Sequence, residues 1–300
     1  MTATYVKAGS IEDAVRALGE GARAVAGGTD LVVGARQGKT PLPDSLVAIH
    51  DVADLRGIEE TDAGLVLRAL ATHEQLVEHA AVRERYTALA DASAIVGSPA
   101  TRHVGTIGGN LANASPAMET GAPFVVFGAE VELRSSDGSR SVAVESFWSG
   151  PGRTTAARGE MVTGVRVPGP ADGSGSAYVR LEFRRSMEIA VVGAAALVTL
   201  ADDGTVADAR VALTAVAPTI VRSPAAEAAL RGKRPTDDAI ATAASAVHDT
   251  AAPISDVRGS DGYRKAMIEV IARRAIDVAA RRAAGEHVPV PATMTVGGTR

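Results

Sequence analysis

Cysteine is absent from all 300 residues. That excludes a disulfide scaffold, thiolate-held zinc, thiol catalysis and an iron–sulfur cluster ligated by this chain. Aromatic residues make up only 3% of the sequence, so its helices must pack closely on small side chains. No long hydrophobic run is present: the longest, residues 189–200, ends at the turn signal Asp202-Asp203-Gly204 and falls short of the roughly 20 residues that span a bilayer. Excess positive charge is also missing. A net charge of −4 and a pI near 5.9 argue against nucleic acid as a partner. The opening MTATYVKAGS has neither the apolar stretch of a signal peptide nor the Arg/Ser bias of a transit peptide, so a cytoplasmic protein is expected.

What is present reads as a soluble globular chain, 46% apolar and 22% charged, with a mean hydropathy of +0.10. At about 150 residues per domain, two domains are expected. Ser10 caps a first helix, with Glu12 and Asp13 in its first turn and Ile11, Ala14, Val15 and Leu18 on its apolar face. Short strands follow at 23–26 and 45–49, completing an αβ unit over about residues 1–57. A strand at 65–70 leads into Thr72-His-Glu-Gln75, a capping box. The helical pattern then continues to about Val96 with a break near Ala81, and residues 97–121 read as irregular and glycine-rich. Strands at 129–134 and 140–144 flank a hairpin turn at Asp137-Gly138, and 161–167 is one more strand.

PGPADGSGS (168–176) is the linker-like segment and marks the domain boundary. Beyond it, 177–184, 189–200 and 205–216 read as a three-stranded antiparallel sheet. Helices follow, capped by Ser223-Pro224, Thr236 and Ser260. The last should carry Tyr263, Met267, Val270, Ile271 and Val278 on one face, with the Arg273-Arg274 and Arg281-Arg282 pairs on a solvated face.

Two glycine loops stand out: AVAGGTDL (24–31) and GTIGGNLANASPA (105–117). Paired glycines let backbone N–H groups approach a phosphate and form an anion nest, and Thr29 and Asn110 can add side-chain donors. Neither loop is a P-loop, since no Lys-Ser/Thr follows, and neither carries the full dinucleotide fingerprint. Taken singly, each is more readily a plain turn than a ligand loop.

Together, and with FRRSMEIA (183–190) and SDVRGSDGYR (255–264), the loops resemble the FAD-binding medium chain of the molybdenum hydroxylases, the carbon monoxide dehydrogenase and xanthine dehydrogenase family. The resemblance implies an α+β fold. A vanillyl-alcohol-oxidase/PCMH-type FAD domain would occupy 1–172, in subdomains of about 1–57 and 58–172, before a flavoprotein C-terminal domain at 177–286. It also implies cofactor contacts. Ala24, Val25, Ala26, Gly27, Gly28, Thr29, Asp30 and Leu31 would wrap the pyrophosphate of FAD, and Thr106, Ile107, Gly108, Gly109 and Asn110 would form the second loop. Ser115 belongs to the same motif; Glu119 stands where the family has an Asp near the ribose, Val162 where an apolar residue lies by the flavin ring, and Arg180 where a Lys lies near it. Val96 takes a position that is aromatic in some relatives, and Glu188 replaces the usual Asp before Ile-Ala.

The implied partners are an iron–sulfur small subunit and a molybdopterin large subunit in a dimer of heterotrimers, with NAD, oxygen or quinone as electron acceptor. Two other readings stay open: a stand-alone FAD oxidase or reductase, and a non-redox nucleotide-binding assembly module. The six histidines show no metal-ligand spacing; His73 and His79 read as surface or capping residues, and His103 lies close enough to the second loop to touch a flavin, although a donor to loop backbone is the favoured role. Ser115 lacks a Gly-x-Ser-x-Gly elbow, so a hydrolase is excluded.

Overall fold

The computed structural model describes residues 4–293; Met1-Thr2-Ala3 of the opening and of the expected first domain lies outside them. The N-terminal unit comprises β1 (Thr4–Lys7), α1 (Ile11–Gly19), β2 (Arg23–Val25), α2 (Leu31–Arg36) and β3 (Ser45–Ala48). Its strands form a parallel sheet in the order β1-β3-β2. Ser10 starts α1 by accepting the Asp13 N–H at 3.1 Å, as a cap must when the first-turn amides have no helical partner.

The second unit begins with β4 (Ile58–Thr61) and β5 (Gly64–Arg68). A full capping box at Thr72 and Gln75 then opens α3 (His73–Glu78). Next come α4 (Ala80–Arg85) and α5 (Thr87–Ala94), so the helix breaks at His79, near Ala81 as expected, and a second time at Tyr86. The stretch 97–121 is not irregular. It folds into α6 (Pro99–Val104) and α7 (Ile107–Asn113) before α8 (Gly121–Val126), because Ser98 and Thr106 each supply a cap that glycine content obscures. The unit closes with β6 (Glu130–Ser135), β7 (Gly138–Ala143), the short pair β8 (Trp148–Gly150) and β9 (Arg153–Thr154), and β10 (Met161–Pro168). Its main sheet is antiparallel in the order β4-β5-β10-β6-β7. Ser135 pairs with Gly138, so the hairpin turn is Ser136-Asp137.

Residues 169–173 join β10 directly to β11 (Ser174–Leu181), with the Gly169 N–H bonded to the Ala63 carbonyl at 2.9 Å, a tight turn rather than a loose linker. With β12 (Val192–Leu200) and β13 (Val206–Thr214), β11 forms the expected antiparallel sheet, but a two-residue β14 (Val221–Arg222) makes it four-stranded. Both faces are covered. Tyr178, Ala195 and Ala212 join the core of the N-terminal part, while Val179, Ala194, Val211 and Leu213 pack with the C-terminal helices. That explains why 192–200 reads as one apolar run without alternation.

The helices are α9 (Pro224–Leu230), where Ser223 makes no cap bond, α10 (Asp237–Ser245), capped by Thr236, and α11 (Asp261–Ala283), capped by Ser260. The buried face of α11 carries Ile268, Ile271, Ala272, Ala275, Ile276, Val278 and Ala279. Tyr263 and Val270 point outward, contrary to the expected face. Arg282 is not solvated either. Its side chain is only 6% exposed and holds Asp91 of α5 at 2.6 and 3.1 Å, and Asp91 also accepts the N–H groups of Tyr178 (3.1 Å) and Ala292 (2.8 Å). This ion pair pins the C-terminal sheet and helix to α5 of the N-terminal part, and both oxygens of the buried carboxylate are used.

Candidate cofactor site

The first loop leaves β2 at Val25 and enters α2 at Leu31. Between them, the N–H groups of Ala26, Gly27, Gly28, Thr29, Asp30 and Leu31 have no hydrogen-bond acceptor among the described residues. Most backbone amides in a folded chain are paired, so six consecutive free donors around a left-handed glycine (Gly28, φ +68°) form a nest that asks for an anion. The Thr29 hydroxyl is uncommitted as well, and Asp30 caps nothing with its side chain. Gly27 has another duty. A Cβ there would stand 2.0 Å from the Val104 carbonyl oxygen, so only glycine lets this loop seat against the end of α6, just before the second loop.

The second loop spends its amides internally. Ile107 and Gly108 donate to the carbonyls of Ala71 and Ala69 (both 2.9 Å), Gly109 to the Thr106 hydroxyl (3.1 Å) and Asn110 to the Thr106 carbonyl (2.9 Å). Its glycines serve packing: a Cβ on Gly108 would lie 2.7 Å from the Ala69 Cβ, and one on Gly109 2.9 Å from the Thr106 Oγ1. An anion nest in this loop, expected from its glycine pair, is therefore not what the backbone provides. What it does present is side-chain donors. Thr120 donates to the Asn110 Oδ1 at 2.6 Å, which leaves the Asn110 amide nitrogen free, and the Trp148 indole N–H holds the Leu111 carbonyl at 3.1 Å from behind.

Around the loops, Thr106 is nearly buried and Ile107 and Gly108 are fully so, while Gly109 is exposed and Asn110 half-buried. Ser115 accepts the Ala117 N–H at 3.3 Å. Val96 is half-buried after α5, and Val162 is buried in β10 beside the bulge between Val162 and Gly164. His103 is exposed on α6, with Nδ1 3.0 Å from the Pro99 carbonyl. A cleft of about 530 Å³ is lined by Ala26 and Gly27 of the first loop, His103 and Val104 of α6 and Thr106 of the second loop, and continues past Thr72 and Gln75 to His50 and Arg56.

Glu119 and Arg180, read from the sequence as separate contacts, form one buried pair: Arg180 Nη1 donates to Glu119 Oε1 at 2.5 Å and Arg180 Nε to Glu182 Oε2 at 2.7 Å. The Arg180 side chain is entirely enclosed, with Glu119, Glu182 and the Glu188 carbonyl as its partners. Burial pushes the Glu119 carboxyl upward against the pull of the guanidinium. Sequence reasoning missed three participants. Glu182 and Thr120 carried no motif signal. His73, read as a surface or capping residue, is 2% exposed at the start of α3, and its Nδ1 has no partner. Burial, reinforced by the Arg102 charge, lowers His73 to about 4. Its place after a capping Thr concealed that, because the first helical residue here faces Gly105 rather than solvent.

Residues 1–170 match the family described as the FAD binding domain in molybdopterin dehydrogenase, and 177–279 the CO dehydrogenase flavoprotein C-terminal domain. The chain belongs to this flavoprotein family. It is 34% identical over 282 residues to the carbon monoxide dehydrogenase medium chain of Afipia carboxidovorans, covering 93% of this chain and 97% of that one. With a putative xanthine dehydrogenase FAD-binding subunit of Escherichia coli K12 it shares 29% identity over 95% of this chain and 98% of that one. A solved carbon monoxide dehydrogenase from Hydrogenophaga pseudoflava superposes with a TM-score of 0.89 at 33% identity, over 94% of this chain and 98% of that one. The protein is thus an FAD-binding medium subunit of the carbon monoxide and xanthine dehydrogenase family, a component of an oxidoreductase. Its donors fit the cofactor: six free amides suit a pyrophosphate, and the free Asn110 amide and the Thr106 hydroxyl suit its oxygens. Among the described residues no helix is long and apolar enough to cross a membrane.

Proposed function

We propose that this flavoprotein subunit receives electrons from iron–sulfur clusters on a partner subunit and delivers them to an external acceptor such as NAD, oxygen or quinone. The holoenzyme would pair it with an iron–sulfur small subunit and a molybdopterin large subunit, as a dimer of heterotrimers in the cytoplasm. The observation that carries the reading is the run of free amides from Ala26 to Leu31 in a chain with no cysteine of its own. It can cradle the flavin nucleotide, and the clusters must come from elsewhere. FAD when bound supplies the ring that takes up and releases electrons.

This chain's residues fix it. The first-loop amides hold the pyrophosphate, with Ala24 and Val25 as the strand that presents them. Thr106 and the Asn110 amide donate from the opposite side. Glu119, held in place by Arg180, accepts from the ribose hydroxyls, and Val96 and Val162 give apolar contact. The FAD domain ends near residue 172 and the C-terminal domain runs over 177–286. The test is anaerobic mixing of the FAD-loaded chain with its reduced iron–sulfur partner: the reading expects stoichiometric bleaching of the yellow flavin band and recovery on adding an acceptor. A chain that oxidises a small substrate alone, with no partner, overturns it in favour of a stand-alone oxidase. A chain that takes up no FAD overturns every redox reading.

A further inference from the structure

The family resemblance puts Glu119 by the ribose and Arg180 by the flavin ring, yet the two are one buried pair 2.5 Å apart. Such a pair marks one end of an extended cofactor. FAD carries a ring at each end of its pyrophosphate, so the other ring leaves the first loop in another direction. The cleft of about 530 Å³ opens there. Ala26, Gly27 and Thr106 form its mouth, and none of Val96, Glu119, Val162 and Arg180 lines it. Its size falls within the roughly 300–1,000 Å³ of small-ligand sites.

Beyond the mouth, the cleft has the parts that hold a flat ring. Buried Leu70 and exposed Val104 supply apolar wall. The exposed Arg56 guanidinium donates to the His50 carbonyl and to no carboxylate among the described residues, and a guanidinium plane stacks on aromatic faces. On α3, Gln75 commits its Oε1 to the Thr72 N–H at 2.9 Å, so its Nε2 donors are free. Glu78, three residues on and so on the same side of the helix, is exposed with no partner among the described residues. A free donor and a free acceptor therefore stand one turn apart, matching the mixed edge of a nucleobase or a flavin. Thr72 also bridges to Thr106, which ties this wall to the second loop.

We propose that this cleft seats the FAD ring opposite the Glu119–Arg180 end, with Leu70 and Val104 as its apolar wall and the Arg56 guanidinium stacked on the ring. The Gln75 amide donates to an acceptor on the ring edge, and the Glu78 carboxylate accepts from an N–H beside it. Adenine and isoalloxazine share that chemistry, a flat heteroaromatic ring with an N–H donor next to ring acceptors. The inference rests on the reading that the first loop holds the pyrophosphate.

The experiment loads the full chain with two photoreactive FAD analogues, one bearing an azide on adenine and the other on the flavin, and maps the labelled peptides. FAD affinity is measured by titration calorimetry for wild type, Arg56→Lys and Glu78→Ala, with melting temperature as the check on the fold. Both substitutions separate contact from charge. Arg56→Lys keeps the cation but loses the plane, and Glu78→Ala removes a negative charge, which by charge alone would strengthen binding of an anion. The expected result is label within 70–78 or 103–106 from one analogue and not the other, which names the ring. Each variant should also bind FAD about threefold or more weakly at wild-type melting temperature. Cleft label from neither analogue or from both, or undiminished affinity in both variants, overturns the proposal. Gly28→Ala, run in parallel, tests the loop itself: undiminished FAD affinity there removes the pyrophosphate reading, and the cleft inference falls with it.

Discussion

Residues 26–31 leave six consecutive amides without an acceptor, whereas residues 107–110 place theirs on Ala71, Ala69 and Thr106. Both segments carry Gly-Gly followed by a polar residue, yet one offers its backbone outward and the other uses it to seat a short helix on the end of β5. The difference lies in what precedes each pair. Thr106 is a helix cap and so draws the amides behind it inward. Ala26 follows a strand, and Gly28, in the left-handed region, turns the chain away before α2 has formed. A glycine pair therefore says that backbone comes close to something; the one or two residues before it decide whether that something is ligand or protein.

Substitutions break this contrast in graded ways. Gly27→Ala should do most harm, because its Cβ meets a carbonyl oxygen at 2.0 Å and neither backbone can yield cheaply. It should cost about 1–3 kcal/mol of stability and abolish FAD retention, read by melting temperature and by flavin absorbance after gel filtration. Gly108→Ala, clashing with Ala69 at 2.7 Å, should lose a similar ~1–3 kcal/mol by denaturant melt, with FAD affinity falling only as the fold does. Gly28→Ala reverses the order. Its φ of +68° costs about 1–2 kcal/mol in an L-residue, but FAD affinity should drop at least tenfold, about 1.4 kcal/mol, by fluorescence titration. Should Gly28→Ala and Gly108→Ala lower affinity and stability in the same proportion, the two loops are not distinct in kind.

Much of this architecture was legible in the sequence. Ser10, Thr72, Thr236 and Ser260 each cap the helix that their spacing promised, because a cap is a local device that needs no tertiary information. The sites that escaped notice depend on distant partners. Arg282 belongs to a basic pair at a helix end and looks solvated, but Asp91, far earlier in the chain, buries it. Tyr263 and Val270 look like core and are surface. Glu119 and Arg180 were not readable as one ion pair, since the contact bridges 61 positions.

An effect that is small near neutral pH and grows only on acidification concerns His73, which lies against Gly105 at the foot of the second loop. Buried neutral with a pKa lowered from 6.5 to about 4, it binds its proton more readily in the unfolded chain. Stability should therefore fall as pH drops from about 6.5 toward 4, by at most about 1.4 kcal/mol per pH unit. His73→Gln should flatten that slope in denaturant titrations between those pH values. An unchanged slope would mean that His73 is not the group responsible.

Amide hydrogen exchange with and without FAD tests the contrast between the loops most directly. Residues 26–31 should exchange fast in the FAD-free chain and become protected when FAD binds, while residues 107–110 should be protected in both states. Protection appearing at 107–110 on FAD binding, with 26–31 unchanged, would contradict it.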